Sequence, residues 1–253
     1  MGDAIAIIPA RLASTRFPEK VLACETGKPL IEHVCEAASR AERVSRVVVA
    51  ADDGRIVEAL RPFGRECVLT DPAHPNGTSR IDEAAERLGL SNDQIIVNAQ
   101  GDEPELDPAL IDAAIETLLR PIAGREPDAA TIASPFREGE DPADPNIVKA
   151  VLRPDGSALY FSRALVPHTR EGGTRVAPLR HVGLYVYRRG FLRRYTRMAA
   201  TPLEQAEQLE QLRIIEHGGT IGVAVRESHG VGIDTPAQYE AFVRRWKASH
   251  NPS

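Results

Sequence analysis

Cysteine is scarce and scattered. The 253-residue chain carries three, Cys24, Cys35 and Cys67, with no CxxC pair and an odd total. That count leaves no disulfide framework and no cysteine-built zinc site, and it suits a reducing compartment. No apolar run approaches the ~20 residues that cross a bilayer. The opening MGDAIAIIPA also lacks a basic segment ahead of a long apolar one. A soluble, cytoplasmic protein with no membrane partner is expected. Positive charge is not in excess either, since 31 Lys and Arg stand against 36 Asp and Glu for a net charge of −5. Nucleic acid bound through bulk charge is therefore not an expected partner, and any phosphate site must be a local gathering of cations. Several motifs are missing as well. The absence of GxxxxGK[ST], GxGxxG, GxSxG and HExxH removes the P-loop, dinucleotide, serine-hydrolase and zinc-protease readings.

What is present is the patterning of an α/β protein. Apolar runs AIAII (4–8), RVVVA (46–50), ECVLT (66–70) and IIVN (95–98) alternate with helical segments at 29–42, 54–60, 79–89 and 107–119. Ser79 with Asp82 three residues on reads as a capping box that starts the third of these helices. Such βαβ alternation predicts a mostly parallel sheet covered on both faces. The second half offers strands at 131–136, 147–152, 181–187 and 220–225, a helix over 203–217 that ends at Gly218, and a last helix carrying Trp246. One domain over 1–253, with an insertion at about 130–190, accounts for this order.

Candidate chemistry gathers at loops. The stretch IAIIPARLASTRFPEK (5–20) follows a buried strand with Arg11, Arg16 and Lys20, and has no glycine between Pro9 and Lys20. It reads either as a phosphate-binding loop that grips with side-chain cations or as a solvated basic turn. NAQGDEP (98–104) follows IIVN and puts Asp102 and Glu103 at a strand's carboxyl end, where a hard cation can be held, or where an ordinary acidic turn would look the same. Asp234, in GIDTP, is either a helix N-cap or a second carboxylate at that cation site. HPNGTSR (74–80) offers Gly77 for close backbone approach and Arg80 for a phosphate or a base edge, or merely a surface arginine. Glu204, Glu207, Glu210 and Gln211 fall along one helical face, as sugar-hydroxyl acceptors or a solvated acidic face. His181 and Tyr185 share one side of their strand and, with Arg163, can recognise a carboxylate and hydroxyls, or be core.

Taken together, PARLASTRFPEK, VNAQGDEP, ALYFSRALVP, RHVGLYVYRRGFL, PLEQAEQLEQLR and GIDTP resemble, in order and spacing, the 3-deoxy-D-manno-octulosonate cytidylyltransferase (CMP-Kdo synthetase) family. The resemblance implies a three-layer α/β/α nucleotide-diphospho-sugar transferase-like (Rossmann-like) fold, usually a homodimer whose contact involves the insertion. It implies the enzymatic conversion of CTP and the acid sugar Kdo to CMP-Kdo and pyrophosphate with magnesium, for lipopolysaccharide synthesis. Residue by residue, it implies Ala10, Arg11, Lys20, Asn76, Gly77, Thr78, Arg80 and Gln100 at the nucleotide. Gln100, Arg163, His181, Tyr185, Glu210 and Gln211 would line the sugar, and Asp102 with Asp234 would hold magnesium. Lys20, Arg11, Asp102 and Asp234 would carry catalysis. Two departures stand out: Glu19 where the family usually has Gly, and Asn76-Gly77-Thr78-Ser79-Arg80 where it usually reads Ser-Gly-Thr-Glu/Asp-Arg. Rival readings are a cytidylyltransferase for sialic acid or an amino analogue of Kdo, and a catalytically silent nucleotide-binding regulator.

Overall fold

An apolar run with no polar face belongs where both faces are covered. In the computed structural model, which describes residues 4–250, that run is β1 (Ala4–Ala10) at the heart of the sheet. Ile5 and Ile7 point into one core with Ile81, Phe191 and Leu212. Ala6, Ile8 and Ala10 point into the other, with Ile31, Val34 and Ile111.

β2 (Val44–Ala51) and β4 (Ile95–Asn98) flank β1 in parallel, and β3 (Glu66–Leu69) lies parallel outside β2. Beyond β4 the order continues through β8 (Leu179–Arg188), β5 (Ala129–Pro135) and β9 (Ile221–Val225). Only β8 runs against its neighbours in this main sheet, while β5 and β9 are parallel. A hairpin of β6 (Lys149–Leu152) and β7 (Ala158–Ser162) pairs with β8 through β6. Helices α1 (Leu30–Ser39), α2 (Gly54–Leu60) and α4 (Pro108–Leu119) cover one face. α3 (Gly77–Arg87), α5 (Arg189–Tyr195) and α7 (Leu212–Glu216) cover the other, which gives the expected three layers. α8 (Pro236–His250) packs on Leu30 of α1 through Tyr239, Phe242 and Val243. Among the described residues no helix is long and apolar enough to cross a membrane.

The strand order positions the site. The chain leaves β1 for β2 on one side and returns with β4 on the other, so the loops after β1 and β4 diverge and open a crevice at the carboxyl ends of the strands.

Three expectations are corrected. The helix over 203–217 is two pieces, α6 (Pro202–Glu207) and α7, because Gln208 is left-handed at φ 53. The acceptors Glu204, Glu207, Glu210 and Gln211 therefore do not form one face. α3 begins at Gly77, with Asn76 rather than Ser79 as its cap: the Asn76 carboxamide oxygen accepts from Ser79 N at 2.9 Å. The insertion is narrower than 130–190, since β5 and β8 belong to the main sheet and the excursion between them is 136–178.

Candidate active site

The loop after β1 is held at both ends. Leu12 N donates to the Asp52 carboxylate at 3.1 Å, and Glu19 N donates to Leu12 O at 3.1 Å. Glu19 itself is left-handed, φ 54, immediately before the turn Lys20–Leu22. Its carboxylate reaches Arg55 at 2.6 Å, on the shoulder of α2. That explains the first departure: the position needs a backbone glycine adopts freely, and a glutamate there is offset by an ion pair outside the loop. Both partners are more than half exposed, so water and salt screen the pair and it contributes little to stability. Glu19→Gly is therefore expected to be more stable than Glu19→Ala by about 1 kcal/mol, because both variants lose the ion pair and only alanine keeps the cost of the left-handed backbone. Urea unfolding of the two variants measures this, and equal midpoints would contradict it.

The loop after β4 reaches the same place because Gly101 has no side chain. A Cβ at Gly101 would stand 2.7 Å from Pro9 O and 3.2 Å from Ile31 Cδ1, so close approach to β1 fixes this glycine rather than a turn with positive φ. Asp102 O accepts from Ile233 N at 2.8 Å, which stitches the last loop beside it. Thr235, not Asp234, caps α8: its hydroxyl accepts from Gln238 N at 3.3 Å while Gln238 Oε1 accepts from Thr235 N at 3.0 Å. Asp234 is thereby free to face the loop after β1.

It does so around a cation. Lys20 Nζ lies 2.6 Å from Asp102 Oδ2 and 3.1 Å from Asp234 Oδ1, and donates to Ile233 O at 2.8 Å. Arg16 reaches Asp234 Oδ1 at 2.9 Å. Two carboxylates converging on one ammonium show that the pair can share a cation, and two hard oxygen donors suit magnesium, which keeps water and phosphate oxygens as its other ligands. Among the described residues no group of three or more His, Cys, Asp or Glu gathers for a metal. Glu103 turns away, toward Gly183 and Gly232, and burial beside Asp102 pushes its carboxyl up to about 7.

The start of α3 completes this lobe. A Cβ on Gly77 would come within 3.0 Å of the Pro9 ring, so Gly77 lets the helix end close on β1. Arg80 is buried, with its guanidinium on Thr70 Oγ1 at 2.6 Å and Asp71 O at 3.1 Å. Desolvation lowers its pKa. Ala10, Arg11, Arg16, Lys20, Asn76, Gly77, Arg80, Gln100, Asp102 and Asp234 all line one lobe of about 690 Å³.

A second lobe of about 280 Å³ opens from it, and Gly77, Gln100 and Glu210 line both. Thr78, His181, Tyr185 and Gln211 line this second lobe, so most of the expected sugar residues are together. Gln100 is aimed by Gly183 O, which accepts from its amide at 3.1 Å. Gly183 and Leu184 sit in a bulge, since Thr131 pairs Tyr185 and Ile132 pairs Val182. The Thr131 hydroxyl donates to Leu184 O at 2.7 Å and so accepts from His181 Nε2 at 3.0 Å, leaving Nδ1 as an acceptor. Thr78 donates to Glu210 at 3.0 Å, and burial raises the Glu210 pKa. Tyr185 lines the lobe, and its buried hydroxyl finds no hydrogen-bond partner among the described residues.

Arg163 is not brought here. Its guanidinium donates to Glu207 O at 2.7 Å, Pro145 O at 3.0 Å and Gln208 O at 3.4 Å. It braces the turn after α6 that delivers Glu210 and Gln211, and is a support rather than a contact. Sequence reasoning passed over Asn98, Tyr187, Tyr195 and Gln208 in the second lobe. The Tyr185–Tyr187 alternation was the available signal for one of them; the Tyr195 hydroxyl, which donates to Glu210 O at 2.8 Å, left none.

Burial lowers the His181 pKa to about 3. The native ring thus stays neutral while the unfolded chain takes up a proton near 6.5, so His181 stabilises the fold above that pH and the contribution is lost as pH falls toward 3. Its share is a slope of about 1.4 kcal/mol per pH unit between 6 and 4. Urea unfolding at pH 6, 5 and 4 is expected to fall less steeply for His181→Gln by about that amount, and parallel curves would refute it.

A carboxyl-end crevice, a cationic lobe facing paired carboxylates and an adjoining polar lobe define an α/β nucleotidyltransferase. The cytidylyltransferase family model matches residues 5–221, and the chain belongs to that family, on the branch of the 3-deoxy-manno-octulosonate cytidylyltransferases. The enzyme of that name from Acidovorax ebreus (strain TPSY) is 47% identical over 249 residues, 92% of this chain and 94% of the relative. That from Geobacter sulfurreducens is 46% identical over 252 residues, 96% and 98% of the two chains. The solved CMP:2-keto-3-deoxy-manno-octonic acid synthetase complexed with CTP is 35% identical with a TM-score of 0.90, covering 98% of this chain and 100% of that one.

Proposed function

We propose that the protein activates Kdo, joining the CMP of CTP to 3-deoxy-manno-octulosonate and releasing pyrophosphate. The observation that carries the reading is one cleft in which a cationic lobe meets a polar, aromatic-walled lobe across Gly77, Gln100 and Glu210. CTP occupies the first lobe, with Arg11 and Lys20 on its phosphates and Arg80, Asn76 and Gly77 holding the nucleotide, while Thr78, expected at the nucleotide, faces the second lobe beside Glu210. Kdo occupies the second, against His181, Tyr185, Glu210 and Gln211. The partition then sets the anomeric hydroxyl beside the α-phosphorus. Its oxygen forms the new P–O bond, the bond to the bridging oxygen of pyrophosphate breaks, and the hydroxyl proton leaves to solvent. Catalysis is positioning and charge neutralisation more than covalent chemistry. Magnesium on Asp102 and Asp234 would supply neutralising charge at the phosphates.

The same reading makes the protein a cytoplasmic homodimer serving lipopolysaccharide synthesis, with the 136–178 excursion in the dimer contact. Exposed Leu159 and Leu165 on that excursion support this. Pyrophosphate release decides the substrate: it should need CTP, Kdo and magnesium together, and be weak with ATP, GTP or UTP. Equal release with sialic acid or an amino analogue of Kdo would move the assignment to that sugar. No release with any acceptor would leave a nucleotide-binding regulator.

A further inference from the structure

Lys20 makes contacts that a lysine reserved for phosphate does not need. Its ammonium is shared by Asp102, Asp234 and Ile233 O, and its side chain is only 12% exposed. The two carboxylates come from loops more than a hundred residues apart, drawn together by the Ile233–Asp102 backbone bond and the packing of α8. Side by side they repel unless a cation lies between them. Among the described residues Arg16 pairs with Asp234 alone, and it is 65% exposed, so it neutralises little of that repulsion. The cation between the pair is the protein's own.

We propose that Lys20 is a placeholder: without nucleotide it neutralises Asp102 and Asp234, and it surrenders them to the divalent ion when CTP offers it phosphate oxygens. The inference rests on the reading that this pair holds the ion. Lys20 lines the same lobe as Arg11 and Arg80, and its flexible four-carbon stem allows the exchange without moving the loop. An ion arriving alone must expel an ammonium that has nowhere better to go, so metal alone binds weakly. Nucleotide supplies the ammonium with new partners, so metal and nucleotide favour each other, and the coupling is reciprocal by necessity. The device keeps the carboxylate pair assembled between turnovers and disfavours a metal-loaded site that holds no nucleotide.

Binding of Mn2+ alone, read by the loss of its free paramagnetic resonance signal, tests this without any turnover. Lys20→Met, with Lys20→Gln as a second variant should the first fold poorly, is expected to bind Mn2+ at least about tenfold tighter than wild type, or about 1.4 kcal/mol. Adding Asp102→Asn should abolish the gain. Affinity in the Lys20 variants equal to or weaker than wild type, with Asp102→Asn still lowering it, would overturn the placeholder while leaving the metal pair standing. An affinity that Asp102→Asn does not touch would overturn the metal pair itself, and the placeholder with it.

Discussion

Asp102→Asn is expected to lower turnover by about 10³-fold while the protein stays folded. The side chain is 31% exposed and its partner at 2.6 Å is a flexible lysine, so the ion pair contributes little to stability, about 1 kcal/mol or less. On the proposed function its value lies in the reaction, where charge builds on the phosphates and a metal held by the two carboxylates would be worth several kcal/mol. A loss of about 4 kcal/mol corresponds to the stated factor. Asparagine keeps the shape and one oxygen but not the charge, so the change isolates electrostatics from packing. Product formation at saturating magnesium, beside a urea midpoint close to wild type, measures both halves. Near-normal turnover would sink the metal assignment, and wholesale unfolding would make Asp102 a structural residue.

Gly101→Ala is expected to damage both fold and activity. The added Cβ would meet backbone, Pro9 O at 2.7 Å, and backbone cannot rotate aside as a side chain can. The loop after β4 must withdraw from β1 by a substantial fraction of an ångström, carrying Asp102 away from Lys20 and Asp234. Overpacking of this kind costs about 1–3 kcal/mol. A displacement approaching 1 Å at reacting groups lowers rate by up to about 10²-fold. Ile31→Val relieves only the contact at 3.2 Å and is not expected to rescue it. Full activity in Gly101→Ala would mean that the loop's closeness to β1 is not what sets the site.

Much of this was legible because it rests on local pattern. The apolar runs of β1, β2 and β4 and the helical stripes between them give a parallel sheet, and ligand loops at strand carboxyl ends follow from that architecture. Arg11, Lys20 and Asp102 could be placed at one edge for that reason. What pairs them was not legible. Asp234 and Asp102 meet through a backbone bond from Ile233 and a cap supplied by Thr235, and neither leaves a periodic trace. The break at Gln208 was hidden for a related reason: a helical stripe ran through it, while tertiary bonds from Arg163 and Ser162 to Glu207 hold the bend. Arg163 was misplaced with it, since its neighbours in the motif gave no sign that its donors were already engaged. Glu19 needed a dihedral angle, not a sequence, to explain it.

On the proposed function the loops after β1 and β4 and the Ile233–Asp234 segment build one cation and nucleotide site. A crystal structure of this protein with CTP and Mn2+, read by anomalous scattering from manganese, tests it most directly. The expected result is an anomalous peak held by Asp102 and Asp234, the triphosphate on Arg11 and Lys20, and the Lys20 ammonium withdrawn from the carboxylates. Manganese held elsewhere, or Lys20 still between the two aspartates beneath bound CTP, would contradict it.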